Sequence, residues 1–182
     1  MIDFTKGRDP LITERLLIEP LSLTETEFIL KLVNTAGWLE FIGNRNINTV
    51  ADATAYIQKI IDNPNTFYWV ARLKDGQTAI GIVTFIKRDY LDYHDIGFAF
   101  LPDYTSMGYA FEATSTVLYA ILRKYKDPII LATTISNNLR SVRLLNRLQF
   151  QHEKEIEVSN EKLQIYSVST DKLCISAITT FS

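Results

Sequence analysis

The most informative stretch of the sequence is residues 95–113, DIGFAFLPDYTSMGYAFEA. Asp95 to Leu101 is a run typical of a β-strand, and Pro102 closes it. From Tyr109 to about Tyr125, apolar residues recur at helical spacing, so a helix begins directly after a short loop. Because Gly108 in that loop carries no side chain, backbone N–H groups at the helix N-terminus can approach a phosphate. One glycine before a helix also fits a simple strand-to-helix turn, and this stretch alone does not decide between the two.

The rest of the chain divides into β-rich and helical runs around this stretch. On its N-terminal side we predict a strand at 11–19, a helix that Ser22 or Thr24 opens and that runs to about Asn34, a second helix at 49–61, and a hairpin of 67–73 and 78–87. The hairpin is the clearest signal, because Asp75-Gly76 separates two apolar runs and glycine tolerates the positive φ of a tight turn. On its C-terminal side we predict a strand, a helix and a final hairpin, at residues 129–134, 139–148, 151–158 and 163–169. The aromatic run 37–43 lacks periodicity and is predicted to be a loop, and residues 170–182 show no assignable pattern.

The resulting order, β-α-α-β-β-β-α-β-α-β-β, mixes hairpins with helical crossovers. It predicts an α+β (mixed α/β) fold with helices on the faces of one sheet. The 182 residues suffice for one domain, and no linker-like segment divides them. Residues 1–182 are therefore predicted to form a single domain.

Composition narrows the classes of function. Nineteen basic residues against 21 acidic ones give a net charge of −2, which lacks the basic excess of a nucleic-acid-binding surface. The single cysteine, Cys174, excludes an intramolecular disulfide and a cysteine zinc cluster, and two distant histidines do not suggest a metal site. The first ten residues carry charges where a signal peptide needs an apolar stretch, and the longest apolar run, residues 79–86, is too short to span a bilayer. We expect a cytoplasmic protein without a metal, nucleic-acid or membrane partner.

Short motifs follow one another in a fixed order across residues 11–169. They read TERLLI at 13–18, DIGF at 95–98, TSMGYA at 105–110, FEA at 111–113, NLRS at 138–141 and LQF at 148–150. In type, order and spacing these motifs resemble the GNAT acetyltransferases, and within them the RimJ/RimL-like branch. The match to the family's Q/R-x-x-G-x-G/A loop departs at Thr105, which replaces Gln or Arg. Gln149 likewise replaces the glycine that is usual after the last helix.

The resemblance implies a GNAT fold, with a central mixed, mostly antiparallel sheet of about seven strands, helices on both faces and a splay between strands 4 and 5. Acetyl-CoA, the acetyl donor, would lie in the splay. Its pantetheine arm would contact the backbone of Phe98, Ala99 and Phe100, and Asn138 would either bond that arm or cap the last helix. The pyrophosphate would be held by the family's loop, here Thr105, Ser106, Met107, Gly108, Tyr109 and Ala110. Since threonine lacks the long polar side chain of Gln or Arg, Thr105 leaves the loop without the support that such a side chain would give.

Acetyl transfer to an amine needs a base for the amine and an acid for the departing thiolate. A lysine-like amine has a pKa of about 10, so at neutral pH it must first lose a proton. By resemblance, Ser141 stands where this branch places the hydroxyl that protonates the thiolate. Asp95 is the candidate base, acting through water, although a carboxylate at a strand edge can also be purely structural. His94 cannot line the same cleft as Asp95, because neighbouring strand residues point to opposite faces.

The connector between the first two helices borders the acceptor pocket in this fold. Trp38 and Arg45 are therefore candidate acceptor contacts, Arg45 as the partner of an acidic group, while Trp38 fits a core position equally well. The acceptor is either a small-molecule amine or the N-terminus of a protein. The leading hypothesis is an acetyl-CoA-dependent N-acetyltransferase, a monomer or homodimer, that works by direct attack in a ternary complex with no covalent enzyme intermediate. A non-catalytic acyl-CoA-binding module is the alternative, suggested by Thr105.

Overall fold

An eight-stranded mixed sheet runs through residues 10–173, the part of the chain that this computed structural model describes. The strands in chain order are β1 Leu11–Ile12, β2 Leu16–Pro20, β3 Thr66–Leu73, β4 Ala79–Ile86, β5 Asp95–Phe100, β6 Ile129–Thr134, β7 Gln151–Val158 and β8 Glu161–Ser169. Their order in the sheet is β1-β2-β3-β4-β5-β6-β8-β7. Every neighbouring pair is antiparallel except β5 and β6, which are parallel. The predicted mixed, mostly antiparallel sheet is confirmed.

Helices cover both faces of this sheet. The α-helices that both begin and end within residues 10–173 are α1 Thr26–Val33, α2 Ala36–Phe41, α3 Val50–Asp62, α4 Tyr109–Leu122 and α5 Leu139–Arg147, and residues 170–173 are also helical. On one face, Val117 of α4 and Leu145 of α5 share a buried cluster with Phe85 of β4. On the other face, Ile57 of α3 packs in a second cluster with Ile82 of β4. Strand alternation places Phe85 and Ile82 on opposite faces, so the sheet separates two apolar cores.

The boundaries of α3 show how local sequence sets the elements. The Thr49 hydroxyl accepts a hydrogen bond from the Asp52 N–H, and the Asp52 carboxylate accepts one from the Thr49 N–H. This reciprocal pair is a capping box, which satisfies donors that a helix start otherwise leaves free. The predicted start of the second helix is thereby confirmed. Gly76 adopts a φ of 79° between β3 and β4, as the predicted hairpin turn requires.

Two predictions about the N-terminal third were wrong. The single strand expected over residues 11–19 is a hairpin of β1 and β2, interrupted where the Thr13 side chain and the Arg15 backbone and side chain bond Glu112 of α4. The loop expected over residues 37–43 contains α2. Its start is capped by the Thr35 hydroxyl, which accepts from the Trp38 N–H at 3.4 Å, and the burial of Trp38 holds it against the sheet. A cap followed three residues later by one buried aromatic is too short a pattern to show helical periodicity.

β5 and β6 lie side by side but pair only at one end. Asp95 is opposite Leu131, and the Leu131 N–H donates to the carbonyl of His94 at 3.0 Å; no further register pair joins the two strands. β5 stays paired with β4 along its whole length. The predicted splay is confirmed, and it falls between β5 and β6 because the short β1 adds one strand to the count. We call the opening between Ile96–Phe100 of β5 and β6 the gap.

Two further observations bear on predicted partners. Among the helices of the described chain, none combines the length and the apolar character needed to cross a bilayer. Nor does that part of the chain hold three His, Cys, Asp or Glu side chains grouped so that they could bind a metal ion. Cys174 and the rest of the tail to residue 182 lie outside the described residues.

Candidate active site

The gap opens toward the starts of two helices. β5 and β6 are parallel, so their carboxyl ends lie at the same edge of the sheet. α4 follows β5 and α5 follows β6, which brings both helix N-termini to that edge. Since the strands pair only near their amino ends, the gap widens toward these N-termini. Ligands of open α/β sheets bind at the carboxyl ends of parallel strands, and this edge is where the predicted cofactor residues meet.

The loop between β5 and α4 has the backbone of an anion site. Ser106 and Gly108 adopt positive φ values of 62° and 85°, and Gly108 is the N-cap of α4. No side chain of the described residues caps this helix, so N–H groups of its first turn remain available for a ligand. The helix dipole adds to their attraction for an anion. The Thr105 hydroxyl takes no part, because it donates to the carbonyl of Pro102 at 2.9 Å.

Glu112, on the first turn of α4, ties the loop to the N-terminal hairpin. Its carboxylate accepts hydrogen bonds from the Thr13 hydroxyl, from the backbone N–H of Arg15 and from Arg15 Nε, the last at 2.7 Å. Partial burial alone would raise the pKa of Glu112, but these hydrogen bonds hold it below its ordinary value. Glu112 is therefore a structural anchor rather than a base. Sequence reasoning placed Arg15 in a strand motif and missed its position at the loop.

Asn138 and Ser141 lie at the start of α5, where one caps the helix and the other keeps a hydroxyl without a partner among the described residues. The Asn138 side-chain carbonyl accepts from the Ser141 N–H at 3.1 Å, so Asn138 is the N-cap of the helix and that alternative is confirmed. Its amide N–H groups have no partner within residues 10–173. The Ser141 hydroxyl is half-buried and likewise meets no acceptor or donor in this part of the chain. A half-buried hydroxyl without a partner, beside the mouth of the gap, is free to serve a ligand.

Asp95 lies at the closed end of the gap, and it is paired. Its carboxylate is only 2% exposed and accepts from Arg88 Nε at 2.9 and 3.0 Å and from the Thr133 hydroxyl at 3.3 Å. Burial raises the pKa of Asp95, while Arg88 and the hydrogen bonds oppose the rise. Arg88 follows β4 and was missed by sequence reasoning, because nothing in the sequence shows that its side chain folds back onto the start of β5.

His94 is turned away from Asp95, as predicted. Its ring stacks on Phe85 at 4.7 Å between centroids and meets the edge of Tyr125 at 5.4 Å, on the face covered by α4. The Nδ1 atom is buried and finds no hydrogen-bond partner in the described residues. Burial lowers the pKa of His94. An imidazole packed in this way belongs to the core rather than to the gap.

The opposite face of the sheet carries polar groups close to Asp95. Trp38 is 5% exposed and packs in the cluster of α1 and α3, which makes it a core residue. Arg45 is exposed in the loop after α2. Burial raises the pKa of Tyr68 and of Tyr90, and the positive charges of Arg88 and Arg45 oppose the rise at both.

We call the group formed on this face by Tyr56, Tyr68, Arg88, Tyr90 and Asp95, with Arg45 at its edge, the acceptor-side cluster. Tyr56 belongs to it because its side chain, on α3, neighbours Tyr68 of β3 and also raises the pKa of that phenol. Sequence reasoning missed the tyrosines of this cluster. The alternation within β3, which sends Tyr68 to the face opposite Phe67, was the available signal.

A sheet splayed between two parallel strands, with a glycine loop leading into an uncapped helix at the open end, is the architecture expected of the acetyltransferases that the motifs resemble. The family model described as "Acetyltransferase (GNAT) domain" matches residues 15–151. The chain therefore belongs to the GNAT acetyltransferase family.

Similar proteins agree with this assignment. An uncharacterized N-acetyltransferase, YnaD of Bacillus subtilis (strain 168), is 26% identical over 144 residues, which cover 79% of this chain and 83% of the relative. A GNAT-family acetyltransferase structure from Bacillus anthracis superposes with a TM-score of 0.75 at 22% identity, covering 90% of this chain and 99% of the other. The ribosomal-protein-S5-alanine acetyltransferase of Vibrio fischeri gives a TM-score of 0.77 at 18% identity, covering 91% and 98%. At these identities the two structures show a shared fold.

Proposed function

We propose that this chain, as a monomer or homodimer, moves the acetyl group of acetyl-CoA to a primary amine by direct attack in a ternary complex. The observation that carries the proposal is the gap, which leads from the buried Asp95 carboxylate to the uncapped N-terminus of α4. The placement in the RimJ/RimL-like branch rests on the motifs, and on the shared fold with the ribosomal-protein-S5-alanine acetyltransferase.

The donor side of the gap fits a pantetheine arm. Leu101 donates to the carbonyl of Ile80, so alternation along β5 directs the backbone groups of Ala99 toward β4 and those of Phe98 and Phe100 toward the gap. The arm carries amides, which would bond Phe98 and Phe100 as a further strand would. Ala99 would contribute its side chain alone.

The remaining contacts to acetyl-CoA would come from polar groups at the open end of the gap that have no partner among the described residues. The backbone N–H groups of Gly108, Tyr109 and Ala110 would hold the pyrophosphate, with Thr105, Ser106 and Met107 shaping the loop. While its carbonyl caps α5, the Asn138 amide can still donate to the pantetheine arm.

For the chemistry, a thioester supplies an activated carbonyl, and the protein supplies proton transfer and orientation. As the amine attacks the carbonyl carbon and the C–S bond breaks, Ser141 donates its hydroxyl proton to the leaving sulfur and regains a proton from water. The lack of a partner for this hydroxyl within residues 10–173 supports the role. Asp95 takes the proton of the amine through water, and the burial that raises its pKa makes it a better acceptor than an exposed carboxylate. Arg88 favours the ionised form of Asp95 and fixes the orientation of its carboxylate.

The acceptor would enter on the face of the acceptor-side cluster. Arg45 is exposed there and meets no carboxylate within the described residues, so it can pair with an acidic group of the acceptor. Trp38 would support this wall from the core. The acceptor is a small-molecule amine or a protein N-terminus, and both present a primary amine.

Thermal unfolding with acetyl-CoA, free CoA and ATP tests the donor site. Ligand at about a hundred times its dissociation constant adds roughly 2.7 kcal/mol of stability. For a chain of this length that raises the melting temperature by about 5 to 10 °C. We expect a rise with acetyl-CoA and CoA but not with ATP. The absence of any rise at millimolar ligand would refute the donor site.

Release of free thiol from acetyl-CoA tests the transfer itself, with diamines, amino acids and peptides as acceptors. Replacing Ser141 with Ala should lower turnover by about 10²- to 10⁴-fold and leave acetyl-CoA affinity unchanged. Ser22→Ala, an exposed serine far along the chain, is the matched control and should leave both unchanged. Donor binding without thiol release for any acceptor would favour the non-catalytic acyl-CoA-binding module.

A further inference from the structure

We infer that Arg15 binds the pyrophosphate of acetyl-CoA and supplies the cationic side chain that the loop lacks at Thr105. This inference rests on the proposed function. Residues 102–114 contain no lysine or arginine, and the Thr105 hydroxyl is already bonded to the carbonyl of Pro102. The nearest guanidinium therefore has to come from elsewhere in the chain, and it comes from the turn between β1 and β2.

The Arg15 guanidinium lies against three consecutive residues of the loop. Nη1 donates to the carbonyl of Met107 at 3.0 Å. Cζ lies 4.3 Å from the centre of the Tyr109 ring. A side chain at Gly108 would place its Cβ 3.3 Å from Nη2, so the glycine leaves room for the arginine as well as for a ligand. The guanidinium thus borders the helix N-terminus at which the pyrophosphate would bind.

Glu112 fixes the guanidinium without using all its donors. Nε and Nη2 both contact the same carboxylate oxygen, at 2.7 and 2.6 Å, while the other oxygen serves Thr13 and the Arg15 backbone. A guanidinium has five N–H groups, and these bonds with the one to Met107 occupy three of them. One N–H on each terminal nitrogen remains, and the side chain is 41% exposed. A held guanidinium with free donors suits a pyrophosphate better than a mobile lysine would.

Calorimetric titration with three ligands tests this role. CoA carries the pyrophosphate and a 3′-phosphate, dephospho-CoA keeps only the pyrophosphate, and pantetheine has neither. Arg15→Met should weaken CoA and dephospho-CoA by about 10-fold or more, the effect of losing a charged hydrogen bond, and leave pantetheine unchanged. Arg123→Met, at the opposite end of α4, is the matched control and should change none of the three.

Two further variants keep the test decisive. Arg15→Lys retains the charge and should lose less affinity for dephospho-CoA than Arg15→Met. If Arg15→Met does not fold, Arg15→Lys takes its place in the titration. Thr105→Arg in the Arg15→Met background should restore part of that affinity, because it returns a guanidinium to the loop.

The possible outcomes separate this inference from the proposed function. Equal weakening of pantetheine and dephospho-CoA would show that Arg15 only supports the loop, and would overturn the inference. An effect on CoA that is absent with dephospho-CoA would place Arg15 at the 3′-phosphate, and would overturn it too. If the unaltered chain binds none of the ligands, the proposed function fails as well. If it binds them and Arg15→Met binds equally tightly, the inference alone fails.

Discussion

Breaking the Arg88–Asp95 pair should destabilise the fold unequally, depending on which partner is removed. Asp95 is 2% exposed, whereas the Arg88 side chain is 32% exposed. Arg88→Met leaves a buried carboxylate without its cationic partner. Asp95→Asn leaves a guanidinium that keeps part of its hydration and a neutral amide that still offers hydrogen bonds.

The magnitudes follow from this difference in burial. Removing one member of a buried pair costs about 3–5 kcal/mol when the remaining charge stays buried, which is the case for Arg88→Met. For Asp95→Asn we expect about 1–3 kcal/mol, since the remaining charge is partly solvated. In a chain of this length, each kcal/mol lowers the melting temperature by about 2–4 °C. Arg88→Met should therefore melt several degrees below Asp95→Asn.

The loss in Arg88→Met should also depend on pH. Burial raises the pKa of Asp95, and without Arg88 nothing of comparable charge opposes the rise. The folded state then holds a proton that the unfolded chain has lost, so the stability of Arg88→Met falls as pH rises through that pKa. Relative to the unaltered chain, the deficit should be largest at about pH 8 and shrink toward about pH 5.

Urea unfolding of both variants at the two pH values measures this. Lys162→Met, which breaks the exposed pair with Glu155, is the control and should leave stability unchanged at either pH. If the loss of stability in Arg88→Met does not exceed that in Asp95→Asn, or does not change with pH, burial of the Asp95 carboxylate does not set the cost of breaking the pair.

Two other predictions concern the sheet. A Cβ at Gly81 would lie 2.2 Å from the Phe100 ring, so Gly81→Ala should cost about 1–3 kcal/mol in urea unfolding, and a Phe100→Ala background should remove most of that loss. A penalty that persists there would mean that the clash is elsewhere. Burial lowers the pKa of His94, so as pH falls the imidazole is protonated in the unfolded chain before it is protonated in the folded one. The stability that neutral His94 contributes to the fold is therefore complete above about pH 6.5 and is lost as pH falls below that value. His94→Phe, which keeps the stacking on Phe85, should lose less stability than the unaltered chain between about pH 7 and 5; parallel curves would contradict the assignment.

Elements with a local cause could be predicted from the sequence. The β3–β4 hairpin follows from Asp75-Gly76, and the start of α3 follows from Thr49 and Asp52, since each signal acts within a few residues. The end of β5 and the start of α4 were likewise predicted within one residue, because Pro102 and Gly108 mark them. In these places the physical cause of the structure is contained in the segment itself.

Features with a distant cause could not be predicted. The interruption between β1 and β2 depends on Glu112, which is 97 residues from Arg15 along the chain. The burial of Asp95 depends on Arg88, and the acceptor-side cluster depends on Tyr56 and Tyr68 meeting from different elements. A motif indicates that a residue type is present at a position, but its partner is fixed only when the sheet order is known.

Two carboxylate–arginine pairs anchor the two ends of β5, the strand that forms one wall of the gap. Beyond Asp95 and Leu131, β5 has no register pair on the side of β6 in the described chain, and within the sheet only β4 holds it. Arg88 holds Asp95 at the start of β5, and Arg15 holds Glu112 and the loop that follows its end. The first pair is mostly buried, whereas the second is partly exposed, so salt weakens the second pair more than the first. Raising the ionic strength should therefore weaken the anchor beyond the carboxyl end of β5 more than the anchor at its start.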